Sequence, residues 1–313
     1  MTRALIFPGQ GSQVVGMGKD LSAAFPDARF VFEEVDDALE QKLSKIMFEG
    51  PEQELTLTEN AQPALMAMSV ALIRVLEKQA KFHVATESSF VAGHSLGEYS
   101  ALTAAGTFAL GDAARVLKMR GQSMQKAVPV GQGAMAALIG IDLDVAEEIA
   151  AEAAGEDVCS AANDNAPGQI VLSGSASAVT RAVEIAKEKG AKRSIALPVS
   201  APFHCALMAP AADVMSEALA DITLQPPVVP IVANVTAAPE EDPGEIRRLL
   251  VEQVTSRVRW RECVLKMREL GVDTFMEVGA GKVLTGMIRR IDKELPSVSV
   301  QSADDIDAFA SSL

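Results

Sequence analysis

At 313 residues and 49% hydrophobic content, the chain can bury a full core as one large domain or two unequal ones. A formal net charge of −14 and only 4% aromatic residues, with one Trp and one Tyr, exclude the basic stripe and stacking platforms of a nucleic-acid binder. No apolar run approaches the ~18 residues that span a bilayer, and Cys159, Cys205 and Cys263 are too scattered for a disulfide framework or a zinc pattern. The expectation is a cytoplasmic protein with no membrane anchor, no metal and no bound cofactor.

Ala4-Leu5-Ile6-Phe7 reads as a buried strand, broken by Pro8 and Gly9 and followed by the polar turn Gln10-Gly11-Ser12-Gln13. Helical patterns follow over 27–43 and over 62–78, where Ala64, Leu65, Met68, Ala71, Leu72 and Val75 recur at 3.6 spacing. Phe90-Val91-Ala92 reads as a central strand running into Gly93-His94-Ser95-Leu96-Gly97 and a small-residue helix over 98–105. A helix over 111–127 puts Ala113, Val116, Leu117, Arg120 and Met124 on one stripe, so an arginine stands where the spacing predicts burial.

From Gly133 the elements shorten: a strand over 134–139, a helix over 144–153, strands over 158–162 and 169–173, a helix over 176–189 and a strand over 193–198. That order, β-α-β-β-α-β, is the split arrangement of a ferredoxin-like unit and predicts a small inserted domain over residues 128–198. A helix over 209–220, a strand over 228–233, helices over 243–255 and 261–270, a strand over 274–278 and a last helix over 283–291 complete the chain. Alternating strands and helices in 1–127 and 199–313 predict an α/β core with a parallel sheet covered on both faces.

The pattern Gly93-x-Ser95-x-Gly97 falls where strand passes to helix, the context of a nucleophile elbow. A serine on such a turn is strained, and glycines two positions either side let strand and helix approach closely. Its hydroxyl points out of the fold, beside the free N–H groups of the helix start. Leu96 N–H is one expected oxyanion donor and Gln10 N–H, in the loop after the first strand, the second. The alternative is a glycine-bounded turn whose serine only caps the helix.

Acyl transfer through serine requires a base, and the chain contains only His83, His94 and His204. His83 follows a helix in a polar connection and His94 adjoins Ser95 on the turn. His204 lies in a loop, Ser200-Ala201-Pro202-Phe203-His204, between a strand end and a helix. No Asp or Glu completes a triad in chain order, which leaves an uncharged acceptor such as a main-chain carbonyl to orient the imidazole.

Phe7-Pro8-Gly9-Gln10-Gly11-Ser12-Gln13, Gly93-His94-Ser95-Leu96-Gly97-Glu98-Tyr99-Ser100-Ala101-Leu102, Phe203-His204 and Glu277-Val278-Gly279 together resemble the malonyl-CoA:acyl carrier protein transacylases, the discrete bacterial enzymes, along nearly the whole chain. The resemblance implies an α/β-hydrolase-like core with a ferredoxin-like insertion, Ser95 as nucleophile, His204 as base and the main-chain carbonyl of Gln253 as its orienting acceptor. It implies that Arg120 holds the malonyl carboxylate, where the pattern alone equally allows a protein carboxylate partner or a side chain reaching for water. Phe203 resembles the ring that crowds an α-methyl branch in malonyl-selective members. Asn165 resembles a position lining the cleft from the small domain, the alternative being an Asx turn before Pro167.

The implied partners are malonyl-CoA and an acidic acyl carrier protein, with fatty acid synthesis as the pathway. A thioester hydrolase or a polyketide acyltransferase would share these motifs. An acidic carrier meeting a chain of charge −14 needs a local basic surface, from Arg257, Arg259 and Arg261 or from Lys187, Lys189, Lys192 and Arg193.

Overall fold

The computed structural model describes residues 2–311, which form ten strands: β1 Arg3–Phe7, β2 Phe90–Gly93, β3 Gly133–Ile139, β4 Cys159–Ala166, β5 Gln169–Ser175, β6 Arg193–Ala196, β7 Ile231–Val232, β8 Pro239–Glu240, β9 Thr274–Val278 and β10 Ser297–Val300. Two sheets result. The larger has the order β10-β9-β1-β2-β7-β8 and is parallel from β10 to β7, with β8 antiparallel at its edge. β1 lies at its centre and is wholly apolar inside because both faces are covered: Leu5 and Phe7 enter one core cluster, Ala4 and Ile6 the other.

The register of β1 against β2 pairs Phe7 with Gly93. Both strands therefore end at one level, and the loop after β1 lies beside the turn after β2. This places residues 8–13 next to residues 94–97.

The second sheet has the order β4-β5-β3-β6 and is antiparallel throughout. Its helices, Leu143–Ala154 and Ala176–Glu188, bury Ile149 and Ala182 against Leu138, Ile170 and Leu172 in a cluster of their own. The chain is thus a mixed α/β protein with one parallel and one antiparallel sheet. The two are stitched through β4. Asn163 bridges Val258 in parallel, Val258 N–H donates to Ala162 O at 2.9 Å, and Asp164 N–H donates to Val258 O at 2.9 Å. The fully buried Asp164 carboxylate takes Arg261 Nε at 3.0 and 2.9 Å and Nη2 at 2.8 Å, a fork geometry suited to a carboxylate.

Several expected elements are corrected. The helix over 27–43 is two: Pro26–Leu39 stops at Glu40, whose φ of 50° is left-handed, and Leu43–Glu49 follows. The strand over 228–233 shrinks to Ile231–Val232, because Pro226, Pro227 and Pro230 offer no N–H to a neighbour. The helix over 283–291 is not the last element: β10 and a helix Ala303–Ala310 come after it, a four-residue strand and a short acidic helix being too brief for periodicity to register. β4 runs on to Ala166 with two register shifts, so Asn165 sits in a strand and not in an Asx turn. Among the described residues no helix is long and apolar enough to cross a membrane.

Candidate active site

Ser95 is the N-cap of the helix Leu96–Ala104, with φ 54° and ψ −111°, a conformation that costs an L-residue strain. The surrounding glycines explain how it is held. A Cβ on Gly93 would lie 1.9 Å from Gly97 O, a Cβ on Gly97 would lie 2.2 Å from Phe7 O, and one on Gly9 would lie 2.7 Å from His94 O. The β1 loop, the turn and the helix start are therefore in backbone contact, which side chains at these positions would forbid. Among the described residues, neither Gln10 N–H nor Leu96 N–H bonds to a backbone carbonyl. The Gln10 side chain is tied down by a bond from Nε2 to Thr58 Oγ1 at 3.2 Å.

His204 is buried and also has positive φ, 58°. Its Nε2 lies 2.8 Å from Ser95 Oγ, and its Nδ1 lies 2.9 Å from Gln253 O and 3.1 Å from Ser256 O. Carbonyls only accept, so Nδ1 carries the proton and Nε2 offers its lone pair to the serine hydroxyl. Burial, and next the Arg120 charge, push the imidazole down to about 3, which keeps it neutral and able to accept a proton.

Arg120 is 1% exposed, on the buried stripe of the helix Leu110–Ala127. Its Nη1 donates to Gln62 Oε1 at 2.8 Å, and its Nη2 to Gln253 Oε1 at 2.9 Å and Ser95 Oγ at 3.2 Å. Nε has no hydrogen-bond partner among the described residues. The guanidinium is thus satisfied only by neutral oxygens, and burial holds its pKa below the usual range for arginine. A buried cation with uncharged partners beside a serine hydroxyl has the chemistry to receive a small anion.

The remaining expected residues are placed less centrally. Asn165 Oδ1 is 2.8 Å from His94 Nε2, so it braces the residue before Ser95 from β4. Phe203 is buried in the larger core cluster immediately before His204, and His83 is exposed. Two residues that sequence reasoning passed over hold the turn. Asn234, fully buried just beyond β7, accepts Ser95 N–H at 2.8 Å and donates from Nδ2 to Gly93 O at 2.7 Å. Glu98 Oε2 accepts from Asn234 N at 3.0 Å and Gln253 Nε2 at 2.9 Å. Glu98 stands in the quoted motif, but nothing local marks Asn234.

Two cavities open on residues of the site, one on Gln10 and the other on His204. One of about 400 Å³ is lined by Gln10, Thr56, Leu57 and Ser200, among others. The second, about 350 Å³, runs between Cys159, Ser160 and Ala161 of β4 and His204, Thr255 and Arg257 of the other region. Together the groups can attack a carbonyl, take up a proton and hold a carboxylate. Among the described residues, no group of three or more His, Cys, Asp or Glu is placed to hold a metal ion.

Residues 4–306 match the acyl transferase domain family. The chain is 45% identical over 305 residues to the malonyl CoA-acyl carrier protein transacylase of Bacillus subtilis (strain 168), covering 97% of this chain and 95% of that one. The crystal structure of acyl-carrier-protein-S-malonyltransferase from Bartonella henselae superimposes with a TM-score of 0.97 at 57% identity, covering 100% of this chain and 99% of that chain. A malonyl-transacylase solved in complex with a type II PKS acyl-carrier protein superimposes with a TM-score of 0.96 at 42% identity, covering 100% of both chains.

Proposed function

The chain belongs to the acyl transferase domain family, and from that membership we propose that it moves a malonyl group from coenzyme A to the phosphopantetheine thiol of acyl carrier protein, in the cytoplasm, for fatty acid synthesis. The observation that carries the malonyl assignment is Arg120, buried among neutral acceptors with Nη2 3.2 Å from Ser95 Oγ.

In this reading Ser95 Oγ attacks the thioester carbon as His204 Nε2 takes its proton. The N–H groups of Gln10 and Leu96 hold the tetrahedral oxyanion, a type of donor whose loss costs ~10²–10³ in rate. The carbon–sulfur bond then breaks, and the coenzyme A sulfur leaves with the proton from His204. The carrier thiol repeats the sequence in reverse, giving ping-pong kinetics. Arg120 holds the malonyl carboxylate throughout. Phe203 crowds a methyl branch, which is worth only ~1–3 kcal/mol of rejection.

The strand order β4-β5-β3-β6 with two helices on the sheet supports the finer assignment of an inserted ferredoxin-like domain over 128–198, on an α/β-hydrolase-like core formed by 1–127 and 199–313. Arg257, Arg259 and Arg261 are paired with Glu147, Glu262 and Asp164, and Lys187 and Lys189 with Glu184, Glu148 and Glu152. Lys192 and Arg193 have no such partner among the described residues, and we assign carrier docking to them. Charge reversal at both should raise KM for the carrier; an unchanged KM removes the assignment.

The deciding experiment is intact-protein mass spectrometry after mixing with malonyl-CoA, then with holo acyl carrier protein. A malonyl adduct that passes to the carrier supports the transferase. Release as free malonate alone would make the protein a thioester hydrolase.

A further inference from the structure

The helix Leu96–Ala104 starts at Ser95, and Glu98 is its third residue. A glutamate there ordinarily reaches back to the N–H of the capping residue and closes a local box. Here Ser95 N–H is taken by Asn234 Oδ1, and Glu98 Oε2 accepts the main-chain N–H of that same asparagine. An asparagine from the turn after β7 is interposed in the box, so the Glu98 carboxyl group secures the peptide of Ser95 at one remove.

The same oxygen accepts Gln253 Nε2 at 2.9 Å, and that amide also donates to Ser95 O at 3.1 Å. Gln253 faces the reacting groups in two ways: its main-chain O receives His204 Nδ1, and its Oε1 receives Arg120 Nη2. One buried oxygen therefore sets the mutual position of three segments: the serine turn, the residue after β7, and the helix end that aims the histidine and steadies the arginine.

We infer that Glu98 is a positioning residue for acyl transfer, acting through Asn234 and Gln253 and touching no substrate itself. This rests on the acyl-transfer reading of the site. Its carboxyl group is 2% exposed, and burying an acid is costly unless its bonds are needed. Two donors converging on one oxygen at 2.9 and 3.0 Å are such bonds.

Three variants separate reach from charge and from bulk stability. Glu98→Gln keeps an oxygen at the same reach without charge, Glu98→Asp keeps the charge but retracts it, and Glu98→Ala removes both. Active serines are counted with a fluorophosphonate probe, and the malonylation rate per active serine and the KM for malonyl-CoA are then measured. We expect Glu98→Gln to stay within about threefold of the parent, while Glu98→Asp and Glu98→Ala lose on the order of 10²-fold in rate at nearly constant KM, the scale of a small misplacement of reacting groups.

A purely structural role would lower melting temperature and the count of active serines but leave the rate per serine untouched, and that result overturns the inference. So does Glu98→Asp matching or exceeding Glu98→Gln, a comparison that survives even if Glu98→Ala does not fold. If the parent accepts the fluorophosphonate but no malonyl group, the acyl donor is wrong. The probe's own rates across the variants then decide the role of Glu98 by the same ordering.

Discussion

The two sheets of this chain spend their backbone differently. Around the parallel sheet lie all five non-glycine residues of positive φ in the described chain, Glu40, Lys81, Ser95, His204 and Ala237, and two of these are the hydrogen-bonded Ser–His pair. The antiparallel region over 133–196 has none; positive φ there is confined to Gly140, Gly155, Gly168 and Gly190. Its contributions near the pair are a brace, Asn165 on His94, and one wall of a cavity. Two of the five strained positions are thus the Ser–His pair itself, while the relaxed unit supplies a brace and a wall.

The largest expected effect is at Ser95, the proposed nucleophile. Ser95→Ala should remove the malonyl adduct entirely and lower turnover by about 10⁶-fold, as for loss of the nucleophile in other serine enzymes; an adduct that persists moves the chemistry off this turn. Next comes Arg120→Gln, expected to lower malonyl-CoA turnover on the order of 10²-fold or more while acetyl-CoA turnover changes little, read from competing acyl donors. Equal losses for both donors would make the arginine a support for the serine only.

The same steric insult can then be made in each region. Gly97→Ala and Gly174→Ala both drive a methyl group toward a backbone oxygen, at 2.2 Å from Phe7 O and 2.0 Å from Val158 O. Both should lower the melting temperature, but only Gly97→Ala should reduce the rate per folded molecule, by roughly tenfold or more. An equal loss of rate in Gly174→Ala would dissolve the contrast.

The smallest effect is a pH dependence that is missing. With His204 held at about 3, the base should not titrate in kcat/KM from about pH 8 down to about pH 5, where an exposed histidine would titrate near 6.5; Glu98, which burial pushes up to about 7, does titrate in that window, and its protonation should cost no more than the roughly threefold expected of Glu98→Gln. The sign for stability is the opposite of a benefit. The unfolded chain binds this proton first, so folding loses stability as pH falls from about 6.5 toward 3.

The serine turn was legible because its glycines, its strand and its helix are contiguous, and steric need at 93 and 97 leaves a local mark. His204 was reached by counting three histidines. Arg120 showed as a charge on an apolar stripe, which burial then made meaningful. Asn234 was invisible: its work is done on residues 93 and 95, 139 or more positions away, and a buried asparagine after a two-residue strand has no periodicity to interrupt. The fold's final strand and helix escaped for a related reason, since β10 is an edge strand whose pairing partner β9 decides its state.

His204 leans on two carbonyls, and this bears on which molecules can finish the reaction. Without a neighbouring carboxylate to welcome a second proton, the imidazole is a feeble base, and its usefulness depends on how willingly the incoming partner gives up its own proton. A thiol of pKa about 8.5 does so readily, while water at about 15.7 resists. Of the two molecules that could take the acyl group in the proposed reaction, the thiol is therefore the one this base deprotonates more readily, which favours transfer over hydrolysis at the second step.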